Sequence, residues 1–364
     1  MCDILWEPPG GLGNFSRMAF HEWDDGPSWR TMWERQGQTV LVTGAHTALG
    51  AKVIDRLANS GWTVRILVDS SQLHQQYPRR IIPVLGSLDD RASMVEIVRD
   101  CRAVVHLQER QATRNPQQFV HENIEHTRTL VQVAREVHVA QFIFLSSASV
   151  AHRRGSPYSH SKKIAEDVVR GSGLEWTIVR PSMLVGIEGG LEYQSLRKII
   201  RRFVGIPLPE GGHAVKRPLH EDDLAEGIDL LMRASLSSIN RRTYHLSGQK
   251  SITVVDLVHQ ISTEHGWPKR ATFNVPSWVC WWAARLVDRI FQWPYPASHL
   301  LRVIMDDEDH DNEPASHDFG FRPRPLSGRL IPQPTLDHWR HIAKPAMAPI
   351  RMQKGFSIIR RNTR

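Results

Sequence analysis

From residue 38 to residue 181 short, almost wholly apolar runs alternate with amphipathic helical stretches, and this alternation leaves few folds open. The runs QTVLVT (38–43), TVRILV (63–68), IIPVL (81–85), AVVHL (103–107), QFIFLSS (141–147) and WTIVRP (176–181) read as strands. Between them LGAKVIDRLANSG (49–61), RASMVEIVRD (91–100), a stretch around 117–138 and YSHSKKIAEDVVRGSG (158–173) read as helices. Strands that are apolar on both faces and alternate with helices belong to a parallel sheet covered on its two sides. The expected class is α/β, with a doubly wound parallel sheet. After Pro181 the rhythm changes to longer helices, short strands such as TYHLS (243–247) and Pro/Gly-rich connections such as GIPLPEGG (205–212), as expected of a smaller C-terminal lobe. We take 38–181 as the sheet domain, to which later segments return, and 182–335 as a substrate lobe on the carboxyl edge of the sheet. Residues 1–37 hold no sustained period and are expected to be a poorly ordered extension, and 336–364 a basic tail.

The 46 Lys and Arg exceed the 38 Asp and Glu by 8, a balance that favours anionic partners without choosing one. No basic and aromatic residues alternate on a strand face as stacking modules require, so nucleic acid is not expected. Three cysteines, Cys2, Cys101 and Cys280, lie far apart and suggest neither a disulfide framework nor a metal site. A reducing cytoplasm suits them. The opening MCDILWEPPGG lacks a basic n-region and is not read as a secretory signal. The most apolar helix candidate, PSWVCWWAARLVDRIFQW (276–293), is interrupted by Arg285, Asp288 and Arg289. It is expected to pack on the lobe, with peripheral membrane contact as the alternative.

The stretch TGAHTALG (43–50) joins the first strand to the first helix. Gly44 permits the torsions of a tight turn, and Gly50 lets the helix press against the strand. Amides at the helix head, around Ala48 and Leu49, then point where a diphosphate would lie. Thr47 stands where a third glycine is usual, so either a cofactor sits slightly farther out or the hydroxyl donates to it. Asp69, ending the second strand, can accept from adenosine ribose hydroxyls or be a plain surface acid. If it binds ribose it would repel a 2′-phosphate, which predicts a preference for NAD over NADP; Arg65 and Arg79 are the candidate phosphate ligands otherwise.

SPYSHSKKIAE places Tyr158 and Lys162 four apart on one helical face, and Ser147 ends the preceding strand. A tyrosine of ordinary pKa, about 10, is a poor base at neutral pH, and an adjacent ammonium would lower that value. Ser147 would then bind a substrate oxygen while Tyr158 moves the proton and a nicotinamide the hydride.

TGAHTALG, VVHL, ENIEHT, FLSSASV, YSHSKKIAE, TIVRP, PLHEDDLA, YHLSG and DFGFRP follow one another as in the extended and atypical short-chain dehydrogenase/reductases, and over about residues 38–330 the chain resembles that NAD-dependent epimerase/dehydratase family. The resemblance implies a Rossmann-type domain holding NAD(P), with Ser147, Tyr158 and Lys162 as the catalytic triad and Asn123 as the supporting asparagine. It also implies cofactor contacts through Gly44, Thr47, Ala48, Leu49, Gly50, Asp69, Leu88, His106 and Leu107, and through Pro181 and Met183 on the nicotinamide side. Helices 117–138 and 158–171 would pair in a homodimer. Thr47, the Ser87 that stands where an adenine-contacting Asp is usual, and the ten residues between Ser147 and Tyr158 depart from the pattern and point to the atypical branch.

Lys216 and Arg217 are the expected ligands of an anionic substrate, a diphosphate above all; RKIIRR (197–202) fits that role or a solvated helix face equally. MDDEDHDNEP (305–314) lacks the turn glycine and spacing of a calcium loop and is read as a solvated acidic face, with no metal. His220 is read as structural. The expected function is an NAD(P)-dependent oxidoreductase or epimerase acting on a secondary alcohol or ketone, of a nucleotide-activated sugar first. The alternatives are a hydroxysteroid-type dehydrogenase, whose pocket Trp278, Trp281 and Trp282 would suit, and a catalytically silent NAD(P)-binding accessory protein.

Overall fold

A computed structural model describes residues 38–330 apart from 71, 73–75, 114, 153–154, 187–188 and 292–295. The expectations for 1–37 and 336–364 lie outside the described residues. Six strands follow in chain order, β1 Thr39–Thr43, β2 Thr63–Val68, β3 Ile81–Leu85, β4 Ala103–His106, β5 Gln141–Leu145 and β6 Trp176–Pro181, and a seventh, Arg242–Leu246, joins them. The sheet runs Arg242–Leu246, β6, β5, β4, β1, β2, β3, with every pairing parallel. The order reverses between β1 and β4, the place where an open α/β sheet leaves a crevice at its carboxyl edge.

Strand residues divide between two apolar layers as the pleat requires. Val40 and Val42 of β1, with Ile143 and Leu145 of β5, face the helices Ala48–Asn59 and Glu221–Arg233. Leu41, Phe142 and Phe144 face the helices Arg91–Val98, His126–Glu136 and Pro157–Arg170. The Rossmann-type α/β fold expected from the sequence is the fold observed. A third cluster, with Tyr193, Leu196, Ile200, Leu208, Leu257 and Ile261, makes the core of the later lobe. That lobe also contributes to the main sheet, through Arg242–Leu246 and through helix Glu221–Arg233, whose first turn carries three acids and whose N-cap is His220.

The helix expected around 117–138 is one rod with an altered middle. Pro116–Phe119 and His126–Glu136 are α-helical, and Val120–Glu125 between them is a π-helical turn in which the amide of His126 donates to the carbonyl of His121. The wider turn contains Asn123, buried at the protein centre. Such turns often accompany functional positions. Helix Pro157–Arg170 starts cleanly, with Ser156 and Ser159 in a reciprocal capping box and proline in the first turn. Among the described residues no helix is long and apolar enough to cross a membrane.

Candidate active site

A cavity of about 1400 Å³ opens at the carboxyl edge of the sheet. It starts at His46, Thr47, Ala48 and Leu49, passes Leu107, Glu109, Ser147, Tyr158, Pro181 and Met183, and ends among Lys198, Arg201, Arg202, Leu300 and Val303.

The nucleotide end is made of backbone. Gly44 has φ +78°, and a Cβ there would lie 2.9 Å from the amide nitrogen of Gln108; a Cβ on Gly50 would lie 2.1 Å from the carbonyl oxygen of Gly44. Both glycines are required by close approach as much as by torsion. Thr47 caps the helix: its hydroxyl donates to the carbonyl of Gly44 (2.9 Å) and accepts from the amide of Gly50 (2.9 Å). The hydroxyl's proton is therefore committed inside the turn, so the reading in which Thr47 donates to a cofactor does not hold. The amides of Ala48 and Leu49 remain at the helix head, on the cavity wall, where the macrodipole favours an anion. This turn, with space that side chains would fill, fits a dinucleotide diphosphate.

Asp69 is exposed just beyond β2 and accepts from the amide of Gln72 (3.0 Å). Arg65 is committed to the carbonyls of Ile97 and Arg99 and is no phosphate ligand. Of the expected cofactor contacts, Gly44, Gly50, Asp69, Leu88, His106 and Lys162 are not on the cavity wall, the two glycines lying inside the turn. Leu88 is buried in the apolar layer with Met94 and Ile97. His106 is buried on β4, where its ring joins Thr43 (2.7 Å) to Thr127 (3.1 Å), and burial lowers its pKa to about 3. It is a neutral brace under the turn. Leu107, Pro181 and Met183 do face the cavity.

At the reacting end helix Pro157–Arg170 brings Tyr158 to the cleft and carries Lys162 one turn on, both buried, and Ser147 stands at the end of β5, hydrogen-bonded to Ser149 (2.8 Å). Lys162 donates to the carbonyl of Leu145 and lies over the Phe144 ring. Between the two side chains sits a residue the sequence reading missed. Glu109 Oε2 accepts from the Tyr158 hydroxyl (3.0 Å) and pairs with Lys162 Nζ (2.9 Å). The ammonium is thus matched by a carboxylate, and the expected lowering of the tyrosine pKa is reversed. Burial pushes the phenol well above its ordinary value, the Glu109 charge pushes it further, and Ser147 works weakly the other way. The one signal that could have found Glu109 is its place just past the carboxyl end of β4, where ligand groups collect in such sheets.

Asn123 holds Glu109's neighbour from both sides: its Oδ1 accepts from the Arg110 amide (2.7 Å) and its Nδ2 donates to the Arg110 carbonyl (3.0 Å) and to Ser161 (2.9 Å). It fixes the loop that carries Glu109 against the helix that carries Tyr158.

Lys216 and Arg217 do not line the cavity. Lys216 is fully buried and donates to the carbonyl of Asp306, near Glu308. Arg217 donates to the carbonyls of Gly248 (2.9 Å), His310 (3.0 Å) and Gln249 (3.3 Å). Both are turned inward because the 305–314 run is only partly a solvated acidic face. Glu308 is buried, accepts from the Met183 amide (3.1 Å) and stands 3.4 Å from His152; Asn312 is buried against Ser247. The cations that do reach the cavity are Arg110, Lys198, Arg201 and Arg202. Trp278, Trp281 and Trp282 are not on its wall, which removes the support for a steroid-type pocket built from them. His220 is structural as expected, accepting from the Asp222 amide (3.2 Å).

Residues 44–198 match the family model described as NAD(P)H-binding. The chain is 24% identical over 304 residues to the mitochondrial 40 kDa subunit of NADH-ubiquinone oxidoreductase of Neurospora crassa, a match covering 80% of this chain and 77% of that one. It is 26% identical over 212 residues to the ceramide reductase of Caulobacter vibrioides, covering 56% and 66% of the two chains. UDP-glucuronic acid 4-epimerase of Bacillus cereus, solved with UDP-glucuronic acid and NAD, superposes with a TM-score of 0.62 at 16% identity, over 80% of this chain and 96% of that one. The chain therefore carries an NAD(P)-binding domain within a Rossmann-type fold. It shares the fold of the NAD-dependent epimerases, and its sequence relatives include a respiratory-complex subunit and a reductase.

Proposed function

We propose that this protein is an NAD(P)-dependent reductase of a ketone carried on a largely apolar substrate, with Tyr158 as proton donor. The observation that carries the reading is the place of Tyr158: its hydroxyl stands on the cavity wall and donates its proton to Glu109 (3.0 Å), and carbonyl reduction needs a proton donor at that wall. The bound nicotinamide would supply the hydride. Ser147 orients the carbonyl oxygen, the Tyr158 hydroxyl exchanges its bond to Glu109 for one to that oxygen, and the proton crosses as the alcohol forms. Lys162, held by Glu109 and the Leu145 carbonyl, keeps the site electrically balanced and would be the group to hold the cofactor ribose. The exposed Asp69 supports a preference for NAD over NADP.

Beyond the reacting groups Met183, Leu184, Leu191, Ile199, Leu300 and Val303 make an apolar part of the wall, beside Glu192, Gln194 and Ser195. That lining suits a hydrocarbon body, and the likeness to a ceramide reductase accords with it. A nucleotide-activated sugar is the second reading, favoured by Lys198, Arg201 and Arg202, which would meet a diphosphate. The test follows oxidation of the reduced nicotinamide with long-chain ketones and with UDP-sugars in parallel. Tyr158→Phe should lower turnover about 10²-fold or more while cofactor affinity, measured by calorimetry, stays nearly unchanged. Activity that survives this change at the wild-type rate would remove Tyr158 from the mechanism, and none with any ketone would leave the accessory, non-catalytic reading in its place.

A further inference from the structure

Helix Ser277–Ile290 turns the wrong residues outward for a helix facing water. Its only fully buried residue is Ala284, while Trp278 is 73% exposed and Trp282 67%, with Leu286 and Ile290 exposed in line with them. At 3.6 residues per turn these four, with exposed Arg285 and Arg289, fall within an arc of about 140°, opposite Ala284. The remaining face packs inward: Asp288 accepts from the amides of Ala297 (2.6 Å) and Ser298 (3.1 Å), and Trp281 lies under Arg302, so the helix is seated on Ala297–Met305. That second helix supplies Leu300 and Val303 to the cavity wall.

A further exposed apolar pair lies at the start of the strand that precedes the helix. Phe203 is 54% exposed and Val204 73%. The Val204 carbonyl accepts from the amide of Ala271 (3.0 Å), in the strand Ala271–Val275 that leads straight into Ser277. Phe203 also borders the cavity, together with Arg201 and Arg202.

We propose that the Trp278, Trp282, Leu286 and Ile290 face, with Phe203 and Val204, docks on a bilayer surface carrying anionic phospholipid, and that the cavity receives its substrate from that surface. Charge decides the occupant. The outward arc carries Arg285 and Arg289 and no carboxylate, since Asp288 is turned inward, and Arg201, Arg202 and Lys198 add to the same sign at the cavity. Tryptophan rings and long cationic side chains are the residue types that settle at the headgroup level, the ring apolar below and polar above, the guanidinium reaching phosphate. A second copy of this chain on the same face would bring Arg285 and Arg289 against their own equivalents, which costs affinity. The proposal goes beyond the reductase reading, and its test uses no turnover, so either can fail alone.

The full chain is floated with vesicles of phosphatidylcholine alone and with vesicles of equal phosphatidylcholine and phosphatidylglycerol. Wild type should rise with the anionic vesicles, and less so as salt is raised. Trp278→Ser with Trp282→Ser should weaken binding at least about tenfold. Arg285→Gln with Arg289→Gln should weaken it about 30-fold, taking about 1 kcal/mol per surface cation. These side chains are exposed, so far-UV circular dichroism and NAD(H) titration should stay as in wild type. Failure of the wild type to float on anionic vesicles overturns the proposal. So does flotation that both double variants retain, which would place the contact elsewhere on this basic chain. A lipid-free dimer in sedimentation velocity that the tryptophan variant dissociates would assign the face to a second copy and overturn it equally.

Discussion

At the nucleotide end of the cavity the contacts on offer are backbone amides set by two glycines and a threonine, whereas at the reacting end they are a phenol and an ammonium from one helix and a carboxylate from a loop 49 residues earlier. The first arrangement is fixed by sterics, among Thr43 to Gly50 and against the backbone of Gln108. The second is fixed by charge balance across the sheet, and one ionisation alters all three members. A ligand entering the nucleotide end finds its partners in place. A ligand entering the reacting end must exchange with bonds already made, Tyr158 to Glu109 and Glu109 to Lys162.

The most severe test of the backbone end is Gly50→Ala. A methyl group placed 2.1 Å from the Gly44 carbonyl forces the turn apart, at about 3 kcal/mol, so NAD(H) affinity should fall about 10²-fold and the melting temperature should drop with it. Calorimetric titration checks the first and a thermal melt the second. Undiminished affinity would mean that the nucleotide is not held by this turn.

The charge-balanced end is tested by Glu109→Gln, which keeps the side-chain shape and removes the charge. Tyr158 then loses one of the two main influences that raise its pKa and keeps the other, burial. Because a raised pKa holds the phenol protonated to higher pH, oxidation of the alcohol product, which needs the phenolate, should rise with pH only in the alkaline range in wild type. In the variant that rise should move to lower pH. Lys162, released from its carboxylate, should bind the cofactor about tenfold tighter, or about 1.4 kcal/mol. An unchanged pH–rate profile would remove Glu109 from the mechanism.

The same contrast explains what could be read from the chain. The strands, the helices read at 49–61 and 158–173, and the meeting of Ser147, Tyr158 and Lys162 follow from periodicity and short spacings, which are local properties. Glu109 carries no such mark, because its role comes from Lys162, 53 positions on, and from a loop position set by Asn123. Lys216 was misplaced for the same reason: its surroundings, Asp306 and Glu308, lie 90 residues later, and nothing in VKR tells an inward lysine from an outward one. The π turn at Val120–Glu125 shows neither proline nor glycine, so a periodic helix reading passes over it.

His106, buried under the nucleotide turn, and the half-buried His245 and His299 predict an acid response. Burial lowers His106 to about 3 and His245 and His299 to about 4, from an ordinary 6.5. A lowered pKa in the folded chain means that the unfolded chain binds protons first as pH falls. Their stabilisation is thus full above about pH 6.5 and is lost between there and pH 4 to 3, each adding a slope approaching about 1.4 kcal/mol per pH unit. Urea unfolding measured from pH 7 to pH 5 should show the loss, and His106→Asn should reduce its slope. An equal slope in that variant would mean that the ring is not neutral under the nucleotide turn.

The smallest expected effect separates the two functions that Thr47 could have had. If its hydroxyl served the diphosphate, Thr47→Ala would weaken NAD(H) binding and leave the fold as it is. The observed bonds run the other way, to the Gly44 carbonyl and the Gly50 amide, both inside the turn. Loss of such an N-cap costs about 1 kcal/mol of stability. The melt should therefore move down by a few degrees, while affinity, carried by the Ala48 and Leu49 amides, changes less than about twofold once measured well below the melting temperature. Should affinity fall tenfold with the melt unmoved, the threonine would be a phosphate ligand, and the nucleotide end would depend on a side chain as the reacting end does.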